Sequence, residues 1–165
     1  MGTRGIILVC DNIEKNNTPV YGDDTLFIEA TMYFQFDTYP TGLGDDIKNA
    51  LNGGNVQIIN GISMNQESPE YFNRIPDLAA YLVYKLKEQH PRIGSVELGN
   101  STRNTYGIEY IYILYPLKVC EESFKEKSDL KLRLIGGYSN KVLYDGLLKD
   151  ADMQKIEKDE SNDND

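Results

Sequence analysis

The chain has 165 residues, 40% of them hydrophobic and 26% charged, with a formal net charge of −9. This length and composition predict one soluble domain that can bury its own core without a disulfide or a structural metal. The negative charge would repel phosphate backbones, so we do not expect binding to long DNA or RNA. No apolar run in the sequence is long enough to span a bilayer, so we expect no membrane partner and a cytoplasmic location.

The first part of the chain predicts two antiparallel strands. Arg4–Asp11 is a continuous apolar run, which is typical of a central strand covered on both faces. Asn12–Asp24 is polar and is expected to be a long hairpin connection. Thr25–Phe36 then alternates as a strand with one face on the core. The side chains that we place on that core face are Leu26, Ile28, Ala30, Met32, Phe34 and Phe36.

The middle of the chain predicts a turn and two helices. Asp37–Gly44 is the turn, and Asp45–Leu51 is a short helix with acidic residues at its positive end. Val56–Ile62 could be a strand or a short helix. Pro76–His90 is the clearest helix, because its leucines form an apolar stripe and the following proline ends it.

Strands return in the second half. We predict strands at Ser95–Leu98, Tyr106–Tyr115 and Leu130–Ile135, the last joined by a tight turn to Lys141–Asp145. Neighbouring strands with helices grouped between them favour an α+β fold. We expect a single domain over residues 1–148, with a mainly antiparallel sheet and one or two helices packed on it. Residues 149–165 contain seven acids and three bases, and we expect an acidic, disordered tail.

The sequence lacks the common catalytic and metal-binding motifs. It contains no P-loop, no HExxH, no CxxC and no GxSxG. The one histidine, His90, ends a predicted helix, where it can interact with the last carbonyls. Cys10 and Cys120 lie in apolar contexts typical of buried free thiols. We therefore expect no metal and no cofactor.

Arg4 and Asp37 are the most informative charged residues. The start of one antiparallel strand lies beside the end of its partner, so these residues should be neighbours and could form a bidentate ion pair. The pair could simply pin the hairpin to the following turn. It could instead form a ligand site, in which Arg4 binds a phosphate or carboxylate and Asp37 accepts a hydrogen bond from a ligand hydroxyl.

Two motifs resemble a known family. The N-terminal MGTRG opens a strand, and FDTYPTGLG at residues 36–44 precedes a helix. Together they resemble the MGTRG-type family of small proteins, found in bacteria, phages, large viruses and fungi, for which no activity is established. The family often carries Asn and His where this chain has Phe34 and Gln35. The resemblance singles out a set of candidate ligand-binding residues: Thr3, Arg4, Asp37, Tyr39, Gly42 and Gly44.

Three hypotheses about function follow. The first is a binding module for a small polar or anionic molecule, or for a partner's loop, at the Arg4/Asp37 site. The second is a small hydrolase or transferase with Asp37 as general base; it is less favoured because no nucleophile or metal set is evident. The third is an acidic protein-interaction or nucleic-acid-mimic protein. The many Asn, Ile, Lys and Tyr residues have AT-rich codons, which is typical of some phages and large viruses. The oligomeric state stays open.

Overall fold

The computed structural model describes residues 2–11, 27–60, 70–99, 107–120 and 127–164. Within these residues the chain forms eight strands and three α-helices, the α+β single domain that the sequence predicts. The strands are β1 (Gly5–Cys10), β2 (Ile28–Phe34), β3 (Gln57–Ile59), β4 (Tyr71–Asn73), β5 (Val96–Gly99), β6 (Tyr110–Cys120), β7 (Lys127–Gly136) and β8 (Val142–Leu147). The helices are α1 (Asp45–Ala50), α2 (Arg74–Gln89) and α3 (Met153–Asp163).

All eight strands belong to one sheet. Its order is β4-β3-β7-β6-β1-β2-β5, and β8 pairs with β7. The β1–β6 and β3–β4 pairs are parallel, and the other neighbouring pairs are antiparallel. The sheet is therefore mixed but mainly antiparallel. The ambiguous Val56–Ile62 segment contributes the short strand β3, and its residues from position 61 onward lie outside the described part.

The core explains why β1 is apolar throughout. Ile7 and Val9 point into a large cluster that also contains buried side chains of α1, α2 and α3. Ile6 and Leu8 point to the opposite face, where they join a second buried cluster. Because β1 lies between β2 and β6 and is buried on both faces, every position needs an apolar side chain.

The antiparallel pairing of β1 with β2 is confirmed, but β2 ends earlier than predicted. The pairing stops at Gly5 opposite Phe34. Asp37 has a φ of 56°, which turns the chain out of the strand direction. As a result Phe36 is 63% exposed, and its predicted place on the core face is wrong. The predicted connection Asn12–Asp24 lies outside the described residues.

The prediction of a disordered tail is also wrong, because residues 153–163 form α3. Asp152 caps this helix by accepting a hydrogen bond from a backbone N–H of the first turn. Met153 and Ile156 are buried against the core. Tyr110 donates a hydrogen bond of 2.8 Å to Glu160. Two buried apolar side chains, the Asp152 cap and the Tyr110 hydrogen bond thus order a polar segment against other parts of the fold.

Candidate functional site

The turn that follows β2 is held by its own backbone. The carbonyl oxygen of Asp37 accepts a hydrogen bond of 3.0 Å from the Leu43 N–H, and Pro40–Gly44 forms one π-helical turn. Tyr39 is extended, as the following proline requires. A Cβ on Gly42 would lie 2.3 Å from the Asp37 carbonyl oxygen, so this position has room only for glycine. Gly42 and Tyr39, both predicted site residues, thus serve the closure of the turn.

Thr38 anchors the turn to the sheet. It is fully buried, and its Oγ1 donates to the Thr3 carbonyl at 2.9 Å. Its own carbonyl accepts a hydrogen bond of 2.6 Å from the Tyr112 hydroxyl of β6. Burial raises the pKa of Tyr112 well above its ordinary value, so this hydroxyl stays a neutral donor. Thr38 was not predicted from the sequence. Thr3, a predicted site residue, takes part in this anchor only through its main-chain carbonyl.

The expected ion pair between Arg4 and Asp37 is wrong: the described residues contain no such pair. Arg4 is exposed, its carbonyl accepts the Glu109 N–H at 2.8 Å, and its Nη1 lies 3.3 Å from where a Cβ on Gly107 would stand. The two main chains do run side by side. The positive φ of Asp37 redirects the chain after β2, and the guanidinium of Arg4 extends toward the start of β6 instead.

Gly44 makes room for α3. A Cβ at Gly44 would lie 2.7 Å from the Met153 sulfur. In the same contact, the Thr41 N–H donates to the Glu157 carboxylate at 3.2 Å. Burial raises the pKa of nearby Asp45 above its ordinary value. Gly44 was singled out from the sequence as a candidate ligand-binding residue, and in the structure it lets the chain approach α3 closely.

A cavity of about 470 Å³ opens where the turn meets the end of α2 and the segment that leads into β5. Its volume lies within the range of about 300–1,000 Å³ that is usual for small-molecule sites. Its apolar wall consists of Phe34, Phe36, Leu43 and Pro91. Its polar wall consists of Asp37, Asp46, Gln89, His90, Arg92 and Ser95. Of the six residues singled out from the sequence, Asp37 alone lines this cavity.

His90 and Asp46 form a hydrogen-bonded pair in the cavity wall. The His90 Nε2 lies 2.9 Å from the Asp46 Oδ2, and the two side chains are 39% and 34% exposed. The backbone N–H of His90 bonds the Leu86 carbonyl at 2.9 Å and so ends α2. Its ring, which we expected at the last carbonyls of the helix, reaches α1 instead. Sequence reasoning missed this pair because 44 positions separate the two residues and only the packing of α1 on α2 joins them.

The segment after α2 presents Arg92 to the cavity. The Ser95 hydroxyl contacts the carbonyls of His90 and Arg92, the second at 2.7 Å. Lys87 also donates to the Arg92 carbonyl at 2.8 Å. Within the described part of the chain, no carboxylate pairs with the Arg92 guanidinium. Hydrogen bonds therefore hold the main chain of this segment in place, while the positive charge of Arg92 is exposed to solvent and to the cavity.

The fold and the cavity define a small α+β protein with a ligand-sized, mixed-polarity pocket beside β2 and β5. Among the described residues, no three His, Cys, Asp or Glu side chains group as a metal site. No helix in those ranges has the length and apolar character needed to cross a membrane. Comparison with protein families, curated proteins and solved structures gives no match. The resemblance to the MGTRG-type family stays a prediction.

Proposed function

We propose that this protein is a binding module for a small polar or anionic ligand, or for a partner's loop that presents the same chemistry. One observation carries the proposal: the cavity gathers Asp37, the His90–Asp46 pair and Arg92 beside the exposed ring of Phe36. An aromatic ring that is 63% exposed at a cavity of mixed polarity offers a flat apolar contact to a bound ligand. The proposed site therefore keeps Asp37 from the sequence prediction and adds the end of α2.

The charges favour a ligand with an anionic group. A guanidinium can bind a phosphate or carboxylate through two parallel hydrogen bonds, and Arg92 has no acidic partner in the described residues. Asp37 supplies an acceptor for ligand hydroxyl or N–H groups. In this proposal, Arg92 takes the anion-binding role that the sequence suggested for Arg4, because Arg92 lines the cavity and Arg4 does not.

The test is a melting-temperature screen of the purified full-length chain against nucleotides, sugar phosphates and amino acids, followed by calorimetric titration. A ligand at 100 times its Kd would stabilise the protein by about 2.7 kcal/mol, which raises the Tm by roughly 5–10 °C. We expect Arg92→Gln to abolish this rise and the exposed-surface change Lys158→Gln to retain it.

Phe36→Ala provides a second arm. We expect it to weaken binding, while Tyr138→Ala, which removes an aromatic side chain that is 75% exposed on the β7–β8 turn, leaves binding unchanged. No melting shift with any compound, for a chain that unfolds cooperatively, would count against a small-molecule ligand. A screen in which the Arg92 and Lys158 variants behave alike would remove the anion contact from the proposal.

Acid–base catalysis is the second candidate. Asp37 would act as general base in a hydrolase or transferase, and the observation that favours this role is its place in the same cavity as a hydrogen-bonded imidazole–carboxylate pair. The screen's best ligand, or its activated ester, would serve as substrate. Asp37→Asn should lose turnover and keep its stability, whereas Asp159→Asn on the exposed face of α3 should keep both. Equal turnover in the two variants would contradict a catalytic role for Asp37.

A further inference from the structure

The contact between His90 and Asp46 determines which ring nitrogen carries the proton. The Nε2 to Oδ2 distance is 2.9 Å. An ionised carboxylate can only accept hydrogen bonds, so Nε2 must carry the hydrogen and donate it to Asp46. In the neutral ring, Nδ1 then has a bare lone pair. No hydrogen bond to Nδ1 forms within the described part of the chain.

The other polar groups of the cavity limit what can face this lone pair. The Ser95 hydroxyl has one proton, and its contacts are to the carbonyls of His90 and Arg92. An ionised Asp37 brings acceptors only. Among the lining residues, His90 and Asp37 bring acceptors, Arg92 brings a cationic donor, and the Gln89 amide can both donate and accept. A ligand that pairs with His90, Asp37 and Arg92 together must supply hydrogen-bond donors and an anionic group.

We propose that the ligand class is the hydroxylated anion, whose hydroxyl donates to Nδ1 of His90 while its phosphate or carboxylate binds Arg92. Asp46 is a positioning residue for this contact, because its carboxylate holds the ring whose Nδ1 meets the ligand hydroxyl. This inference rests on the proposed binding function of the cavity. An analogue without the hydroxyl should bind about 2- to 10-fold more weakly, because it loses one hydrogen bond to a ring that is 39% exposed and that water can still reach.

The ring-nitrogen part is tested without any ligand. His90 is the chain's one histidine, so its side-chain ¹⁵N signals need no assignment. Long-range ¹H–¹⁵N spectra of the full-length protein are recorded at a pH at which the ¹⁵N shifts themselves show a neutral ring. We expect a protonated Nε2, a bare Nδ1 and an Nε2 proton slow enough in exchange to be observed.

The variant Asp46→Ala should lose the observable Nε2 proton, and Asp159→Ala should keep it. Asp46 is 34% exposed, so its removal leaves no buried cavity. An Nδ1–H tautomer in the wild-type chain would overturn the inference. So would an Nε2 proton that Asp46→Ala leaves unchanged.

The ligand part is tested by titration with ribose 5-phosphate, gluconate and inorganic phosphate. We expect one of the two hydroxylated anions to move the Nδ1 signal, which separates the phosphate class from the carboxylate class, and inorganic phosphate alone to leave it in place. Arg92→Gln should abolish the response. Binding that leaves Nδ1 unmoved would overturn the hydroxyl contact. If neither hydroxylated anion binds while another compound raises the Tm, the ligand class is wrong and the binding function stands.

Discussion

Tyr112→Phe tests the anchoring of the Asp37 turn more directly than any other single change. Tyr112 is fully buried, and its hydroxyl donates to the Thr38 carbonyl at 2.6 Å. The substitution keeps the ring and its packing and deletes the oxygen that reaches the turn. The perturbation is therefore the loss of the bond to the Thr38 carbonyl, which leaves a buried acceptor behind, and of the hydroxyl's backbone contact with Gly44.

The magnitude follows from that acceptor. Thr38 is 0% exposed, so water cannot replace the lost donor at its carbonyl. A buried polar group left unpaired costs about 1–3 kcal/mol. Against a total stability of about 5–15 kcal/mol, this loss is easily measured. For a chain of 165 residues it corresponds to a fall in Tm of roughly 2–12 °C.

Denaturant unfolding gives the free energy, and amide hydrogen exchange gives the location. The Leu43 N–H, which donates to the Asp37 carbonyl, should exchange faster in Tyr112→Phe because the turn has lost its anchor. Tyr138→Phe is the matched control, since that ring is 75% exposed and its change should stay within about 0.5 kcal/mol. A Tyr112→Phe protein that unfolds within about 0.5 kcal/mol of the wild type would refute the reasoning.

Three further predictions concern the rest of the chain. Ile156→Ala should lower the free energy of unfolding by about 2–4 kcal/mol in denaturant unfolding, because this α3 side chain is only 7% exposed. A change near zero would contradict the docking of α3 and support the disordered tail that the sequence predicts. Gly54→Ala should lower the free energy of unfolding by about 2–5 kcal/mol, because its φ is +90° and a Cβ would lie 2.5 Å from a backbone nitrogen. Gly53→Ala, at φ +67° with open space around it, should lower it by only about 1–2 kcal/mol. Equal losses in the two variants would contradict the close packing at Gly54. Burial raises the pKa of Cys10 from 9.0 to about 12, so this thiol contributes stability that is present below pH 9.0 and lost as the pH rises toward about 12. In a Cys120→Ser chain at about pH 8, iodoacetamide should therefore modify Cys10 only after unfolding, and rapid labelling of the folded protein would show that the thiol is accessible.

Local pattern was enough for most of the fold. The apolar run of β1 predicted its burial on both faces, and the strand predicted at Leu130–Ile135 lies within β7. Pro76–His90 was close to the observed α2, although the helix begins at Arg74 and ends at Gln89. These predictions hold because strand and helix periods are set by residues a few positions apart.

The errors arose where a long-range contact overrode the local pattern. Phe36 continues the alternation of β2, yet it is exposed because the chain turns at Asp37. The last residues are polar enough to predict disorder, yet Met153 and Ile156 dock on a surface built by other parts of the chain. Such a surface exists only after folding, so composition alone cannot reveal it.

For the candidate site, too, local sequence pattern predicted one part and long-range packing decided the other. The sequence by itself determined the α+β class, the antiparallel start of the sheet, and the placement of Asp37 in a glycine-rich turn before a helix. Only the tertiary structure decided that Arg4 extends away from Asp37 and that His90, Asp46 and Arg92 surround the same cavity. The physical reason is that the packing of α1 against the end of α2 brings together groups whose separation along the chain carries no local signal.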